Sequence, residues 1–336
     1  MKIALIESPH IEQILRIQIC LERMGHDVTV HFIRDYKQRH SYLEKKCSRL
    51  HMYGESPETY EQRRYREITA ALQEWQPKQI LLIADTVPVD VIQVWDDVAP
   101  VKFWGVDPIV HADRDMLDRL RLMRVFVYDK ATQTYLKNQG ILAEYCPVGY
   151  NDAYENVAPA AQKIYDIVFI GRIYKNRIPY LDALAKRSEC EHWTMKVFGL
   201  NFEFPYVWKK WTFAFQYPAL MKCIVNRQLS PAECASIYAA SRICINIHDE
   251  KNRGLNPRTF EILATHAMQL VDERDDYDIV RPGEDLVVYQ SPEDLEEQVA
   301  YYLAHPDDCT RIAETGYQKV HNVRSILESI NTLIQI

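Results

Sequence analysis

Three cations stand close together after an apolar run: DIVFIG (166–171) leads into Arg172-Ile-Tyr-Lys175-Asn-Arg177. Cations at the end of a buried strand can hold a negatively charged group, and Gly171 allows a close backbone approach. A helix from about Pro179 adds the positive end of its dipole, so the cluster suits a diphosphate. A solvated basic turn is the competing reading. A second cluster lies in INIHDEKNRGLNPRTFEILA (245–264). There a strand ends at His248, a polar loop carries Gly254, and Pro257 opens a helix. Asn256, Arg258 and Glu261 fall at or in its first turn, where free backbone N–H groups can hold phosphate. The Glu261 carboxylate has the acceptors that a ribose diol needs; alternatively it complements the helix dipole.

The first half offers acid/base chemistry instead. His10 closes Ser8-Pro9-His10 after the first apolar run, and Gly105-Val-Asp107-Pro-Ile-Val-His111 follows VKFW. Asp107, His10 and His111 can move a proton or bind a hydroxyl. A plainer reading makes Asp107-Pro the start of a turn and His111 a surface residue. The acidic run Asp272–Asp278 contains a D-x-D triplet of the kind that holds Mn²⁺ or Mg²⁺. Late in the chain it reads as a solvated loop, and no essential metal is expected. The eight cysteines include no C-x-x-C pair, which argues for reduced thiols and against zinc. Cys244, inside RICINI, reads as a small core hydrophobe.

Elements of a particular kind must position these residues. Ile3–Glu7, DVTVHFI, QILLIA (79–84), VKFW (101–104) and RVFVY (124–128) are short apolar runs separated by helical spacing, such as Tyr65, Ile68, Leu72 and Trp75. The pattern restarts with DIVFIG, KVFG (196–199), RICINI (242–247), MQLV (268–271) and LVVY (286–289). Strand–helix alternation predicts parallel sheets covered on both faces, with ligands at the carboxyl ends of the strands. Asn151–Lys163, poor in large apolar residues, reads as the linker. The expected domains are therefore 1–155 and 160–322, with a last helix at about 323–336 returning to the first. Ser291-Pro-Glu-Asp reads as a capped helix start.

Composition excludes several classes. A chain of 336 residues with 47% hydrophobic and 26% charged residues has material for two cores. No apolar run approaches the ~18 residues of a membrane span, and MKIALIESPH is too quickly polar for a signal peptide, so a cytoplasmic protein is expected. A net charge of −7 disfavours nucleic acid as a partner. The absence of G-x-G-x-x-G and of a Walker A loop disfavours a dinucleotide enzyme or a P-loop ATPase. Two stretches bear on other partners. RDYKQRHSYLEKKCSR (34–49) is basic, and NFEFPYVWKKWTFAFQYPALMK (201–222) is dense in aromatics around two lysines. The latter reads first as a packed insertion, and second as a sugar-stacking surface or a peripheral contact with the inner face of a membrane.

GRIYKNR resembles the G-R-x-x-x-K phosphate loop of group 1 glycosyltransferases. Asn256-Pro-Arg258-Thr-Phe-Glu261 and its surroundings resemble the donor segment of their spore-maturation, CgeB-like branch. The likeness covers most of 163–322 and is weaker over 1–150, where FWGVDP, VYDKATQTYLKNQG and CPVGYN carry it. It implies a GT-B-like α/β fold, two Rossmann-like domains with parallel sheets facing across a cleft. It also implies a hexosyl or related transfer from a nucleotide-sugar donor to a glycan, lipid-linked or protein acceptor, with no cofactor beyond that donor. Gly171, Arg172, Lys175, Arg177, His248, Asn256, Arg258 and Glu261 would bind the donor. Asp107, then His10 and His111, would serve the reaction centre. Two departures stand out: Arg253 occupies the place of a first glutamate, and Thr265-His266-Ala267 lacks a glycine. A sugar-nucleotide epimerase and a non-catalytic nucleotide-sugar-binding subunit are the alternative readings.

Overall fold

A computed structural model describes residues 1–7, 11–33, 57–83, 87–109, 112–202, 208–250, 253–323 and 326–335. The chain divides into two compact units, Met1–Pro147 with Ser329–Ile336, and Val148–Glu328. Among the described residues no helix is long and apolar enough to cross a membrane.

In unit 1 the order is β1 (Lys2–Glu7), α1 (Ile11–Arg23), β2 (Asp27–Phe32), α2 (Pro57–Trp75), β3 (Gln79–Leu82) and α3 (Val89–Val98). It continues with β4 (Val101–Gly105), α4 (Arg114–Leu120), β5 (Arg124–Val127), α5 (Lys130–Asn138) and β6 (Ala143–Tyr145). The six strands form a parallel sheet in the order β2-β1-β3-β4-β5-β6. Its central strands are apolar on both faces, as burial beneath two helical layers requires: Ile3 to Ile6 are wholly buried, and so are Ile80 and Leu82. Asp113 and Asp129 cap α4 and α5 by accepting the Met116 and Thr132 N–H groups.

Unit 2 repeats the plan. It contains β7 (Tyr165–Ile170), α6 (Ile178–Glu191), β8 (Met195–Phe198), α7 (Lys209–Gln216), α8 (Pro218–Cys223), β9 (Ile224–Val225) and α9 (Pro231–Ala239). Then follow β10 (Ser241–Asn246), α10 (Pro257–Leu263), β11 (Met268–Asp272), β12 (Val287–Tyr289), α11 (Pro292–Ala304), α12 (Pro306–Val323) and α13 (Ile326–Ile334), the last of which crosses into unit 1. The parallel sheet runs β12-β11-β10-β7-β8-β9. Ser291 accepts the Asp294 N–H at the start of α11, as the sequence predicts.

Several details differ from the sequence reading. The units part at Pro147, ahead of the stretch read as a linker. That stretch begins with a 3₁₀ turn, Asp152–Tyr154, whose Tyr154 is buried and stacks on Tyr238 of α9 with ring centroids 6.4 Å apart. One large aromatic is enough to hold an otherwise polar segment against a core. The aromatic stretch 201–222 contains two short helices, and only part of it is packed: Phe213 and Tyr217 face the core. The acidic run is not uniformly solvated, because Asp276 is buried. His10, His111 and the basic stretch 34–49 lie outside the described residues.

Candidate functional site

In each sheet the chain runs outward on one side and then jumps back across its first strand. In unit 2 this switch falls between β7 and β10. The loops leaving two such strands diverge to opposite faces and open a crevice at their carboxyl ends. Residues 171–177 leave β7 there, and residues 247–256 leave β10. The topology thus brings together the two clusters singled out by their chemistry.

The first loop is tightly held. The Gly171 N–H donates to the Phe198 carbonyl over 2.8 Å. A Cβ on Gly171 would stand 3.2 Å from the Phe169 ring, and one on Gly199 would stand 2.3 Å from the Gly171 carbonyl oxygen. Only two glycines let the ends of β7 and β8 come this close. The Ile173 N–H donates to Asn201 Oδ1 over 2.6 Å, and Asn176 Nδ2 donates to the His248 carbonyl over 3.0 Å. The second bond ties the two loops to each other.

Within this frame Arg172 and Lys175 are exposed and Arg177 is buried. Arg177 Nη1 donates to the Arg172 carbonyl over 2.8 Å, and the guanidinium lies 4.9 Å from the Tyr174 ring centroid and 5.5 Å from that of Phe169. Its Nε has no hydrogen-bond partner among the described residues. Burial, and then the neighbouring Arg258, push its pKa down to about 10, against the pull of Tyr174, Asp249 and Asp272. A buried cation facing another cation is strained until an anion joins them. Arg177 also begins α6, whose N-terminus has no side-chain cap and carries proline in its first turn.

The second loop is built around His248, whose ring is buried. Its Nδ1 lies 2.7 Å from Asp272 Oδ1, and the Asn256 N–H donates to its Nε2 over 3.1 Å. Because Nε2 accepts, Nδ1 carries the proton and the ring is neutral; burial lowers its pKa in keeping with this. Asp272 also accepts the His248 N–H over 3.1 Å and is bonded by Arg274. Both ring nitrogens being engaged, His248 holds the loop in place. Asn256 is likewise occupied: its Oδ1 caps α10 by accepting the Thr259 N–H over 3.1 Å, and its amide pairs with that of Asn246 over 3.1 and 3.2 Å. Arg258 and Glu261 follow one turn apart on α10. Burial opposes the Arg258 charge, but Tyr238, which it hydrogen-bonds, and Glu261 more than offset this and hold its pKa up.

Unit 1 presents a carboxyl that sequence reasoning missed. Glu7 ends β1, the strand at which that sheet switches direction. It is fully buried, and neither carboxyl oxygen has a hydrogen-bond partner among the described residues. Burial first, and the Asp107 charge second, raise its pKa to about 8. Asp107 is exposed, two residues beyond β4. Asn246, Asp272 and Asn201 were also missed. Each reads alone as a strand or loop residue, and only the folded chain brings their partners to them. Among the described residues no group of three His, Cys, Asp or Glu side chains could hold a metal ion.

Two parallel Rossmann-like units, with a cationic crevice at the switch point of the second, define the GT-B class of glycosyltransferase folds. The comparisons agree. The profile of the family described as "Glycosyl transferase-like" matches residues 177–333. Spore protein CgeB of Bacillus subtilis is 23% identical over 266 residues, covering 71% of this chain and 76% of its own. A glycosyltransferase from Rickettsia africae superposes with a TM-score of 0.72 at 12% identity, covering 98% of this chain and 96% of its own. HepE of Anabaena, solved in complex with UDP-glucose, gives 0.69 at 13% identity over 99% and 98%. The T4 phage enzyme BGT, also solved with UDP-glucose, gives 0.58 at 14% over the whole of both chains. The resemblance to group 1, CgeB-like glycosyltransferases read from the sequence is thereby borne out.

Proposed function

We propose that this protein transfers a sugar from a nucleoside diphosphate sugar to an acceptor hydroxyl. The observation that carries the reading is Arg177, a buried guanidinium beside Arg258 whose Nε has no hydrogen-bond partner among the described residues. A diphosphate relieves that repulsion and accepts the free N–H. Arg172 and Lys175, exposed on the same loop, and the uncapped start of α6 add positive potential. These cations stabilise the leaving diphosphate as its charge develops, the task a metal ion performs elsewhere, and no metal or other cofactor is needed. Glu261, one turn from Arg258 on α10, holds the ribose diol. The UDP-glucose complexes of the structural relatives support a hexose on UDP as the first donor to test. Asp107, exposed just beyond β4 in unit 1, is the residue proposed to serve the acceptor hydroxyl.

The decisive experiment pairs binding with turnover. Arg177→Met should weaken UDP and UDP-glucose alike by ~1.5–3 kcal/mol, the value of a charged hydrogen bond, when titrated calorimetrically. An unchanged affinity in a folded variant would overturn the donor site. Release of free UDP from UDP-glucose marks an enzyme; tight binding with no release under any acceptor marks a non-catalytic subunit.

A further inference from the structure

The proposed chemistry uses nothing from the helix α7, and α7 has two apolar faces. Phe213 and Tyr217 pack inward, with ring centroids 5.0 Å apart, and Phe202 meets Phe213 edge-on at 5.5 Å. Trp208, Trp211 and Phe215 stand on the other side, exposed to 60%, 78% and 88%. At about 100° per residue these three fall within an arc of roughly 60°, opposite the packed pair. The other exposed aromatics among the described residues, Tyr174 and Tyr301, lie far apart in the chain. Three large aromatic side chains turned to water on one short helix are unfavourable unless something covers them.

Charge identifies the cover. The chain has 47 acidic residues in 336, yet none falls between Phe204 and Ala232, where that frequency would place about four. The same segment holds Lys209, Lys210, Lys222 and Arg227. Lys222 and Arg227 are ion-paired with Glu189 and Glu233, and the charged residues of α7 itself are two lysines, Lys209 and Lys210, the latter exposed. A protein with a net charge of −7 therefore carries only positive charge along this stretch of its sequence. A second copy of the chain is a poor match. One face of an eight-residue helix, ~12 Å long, offers far less than the ~800 Å² per partner of a stable dimer. Aromatic rings beside lysines suit the boundary between acyl chains and anionic headgroups.

We propose that α7 is a membrane-surface anchor that seats Trp208, Trp211 and Phe215 in the interface of a bilayer bearing anionic lipids. It lies between β8 and the edge strand β9 of the second sheet, in a stretch of chain separate from residues 171–177 and 247–256.

The test uses the full chain with two kinds of vesicle, pure phosphatidylcholine and phosphatidylcholine mixed with phosphatidylglycerol. The protein should sediment with the mixed vesicles, less so as salt rises, and its tryptophan emission should shift to the blue. The double variant Trp211→Ser, Phe215→Ser should lose about tenfold or more in partitioning. The double variant Lys209→Ser, Lys210→Ser should lose about fivefold per lysine on the anionic vesicles only. Unchanged UDP affinity and melting temperature show that these variants are folded. Absence of wild-type binding to both vesicles overturns the anchor, as does full binding by the aromatic variant. A dimer that dissociates in the aromatic variant without vesicle binding assigns the face to a second copy. Binding of the same face to a soluble glycan in place of vesicles also overturns it.

Discussion

Glu7 turns a buried side chain into a titration. Its carboxyl ordinarily releases its proton near 4.5, but in the folded protein it does so only near 8. Between those values the unfolded chain has lost a proton that the folded chain keeps, so stability declines as pH rises through the window. Glu7→Gln removes the decline. The variant should match wild type near pH 4 and exceed it by up to ~3–5 kcal/mol near pH 8 in denaturant titrations. Equal stability at both pH values would mean that the carboxyl is ionised in the folded state. His248 gives the opposite sign. His248→Phe strands the Asn256 N–H and removes a proton donor from Asp272, costing about 2–4 kcal/mol and slackening the loop before α10. Unfolding curves and UDP titration should both register the change. At this scale the sequence shows charges well and partners badly. Arg172, Lys175 and Arg177 are conspicuous because cations after an apolar run are unusual. Glu7 is hidden as the last residue of a hydrophobic strand, with Asp107 a hundred positions away. Asp272 is hidden in an acidic run whose average reading is solvation, although its own carboxylate is committed to His248 and Arg274.

Elements set where those residues meet. The ends of β7 and β8 touch through Gly171 and Gly199, and a methyl group on Gly199 would fall on backbone that cannot rotate away. Gly199→Ala should therefore lower the melting temperature and weaken UDP binding together, since the strained part is the loop that carries Arg172 to Arg177. A variant with normal affinity would show that the loop tolerates displacement. Most central strands were legible because burial on both faces leaves a continuous apolar run, which needs no periodic signal. The edge strands β6 and β9 were not, being three and two residues long and poorly buried. The helix α7 escaped for another reason. With apolar side chains on two opposite faces, its 3.6-residue period is blurred, and only packing distinguishes Phe213 from Phe215.

At the scale of the whole chain, unit 1 includes α13, contributed from beyond unit 2 in the sequence. Lys102, buried at the start of β4, donates to the Leu333 and Gln335 carbonyls over 2.8 Å each, ending α13 with a positive charge where the helix dipole is negative. Ile330, Leu333 and Ile334 are buried, all within unit 1. Truncation after Glu328 should remove these apolar side chains and both acceptors of the Lys102 ammonium, and lower the stability of unit 1. Hydrogen exchange should report faster opening in β3 and β4 and little change in β7 or β10. A return of the last helix was legible in outline, but the residues receiving it were not, because Lys102 and Gln79 read simply as members of apolar strands. This route of the chain also bears on its biosynthesis. Residues 148–328, a complete unit, leave the ribosome before the segment that completes unit 1. At about 5–20 residues per second, the first-made sheet waits roughly 9–36 s with part of its apolar core unsealed, while the later-made domain can already fold. Nascent unit 1 is thus the natural client of a chaperone, and slowing translation within 148–328 should lengthen its exposure without touching a single native contact.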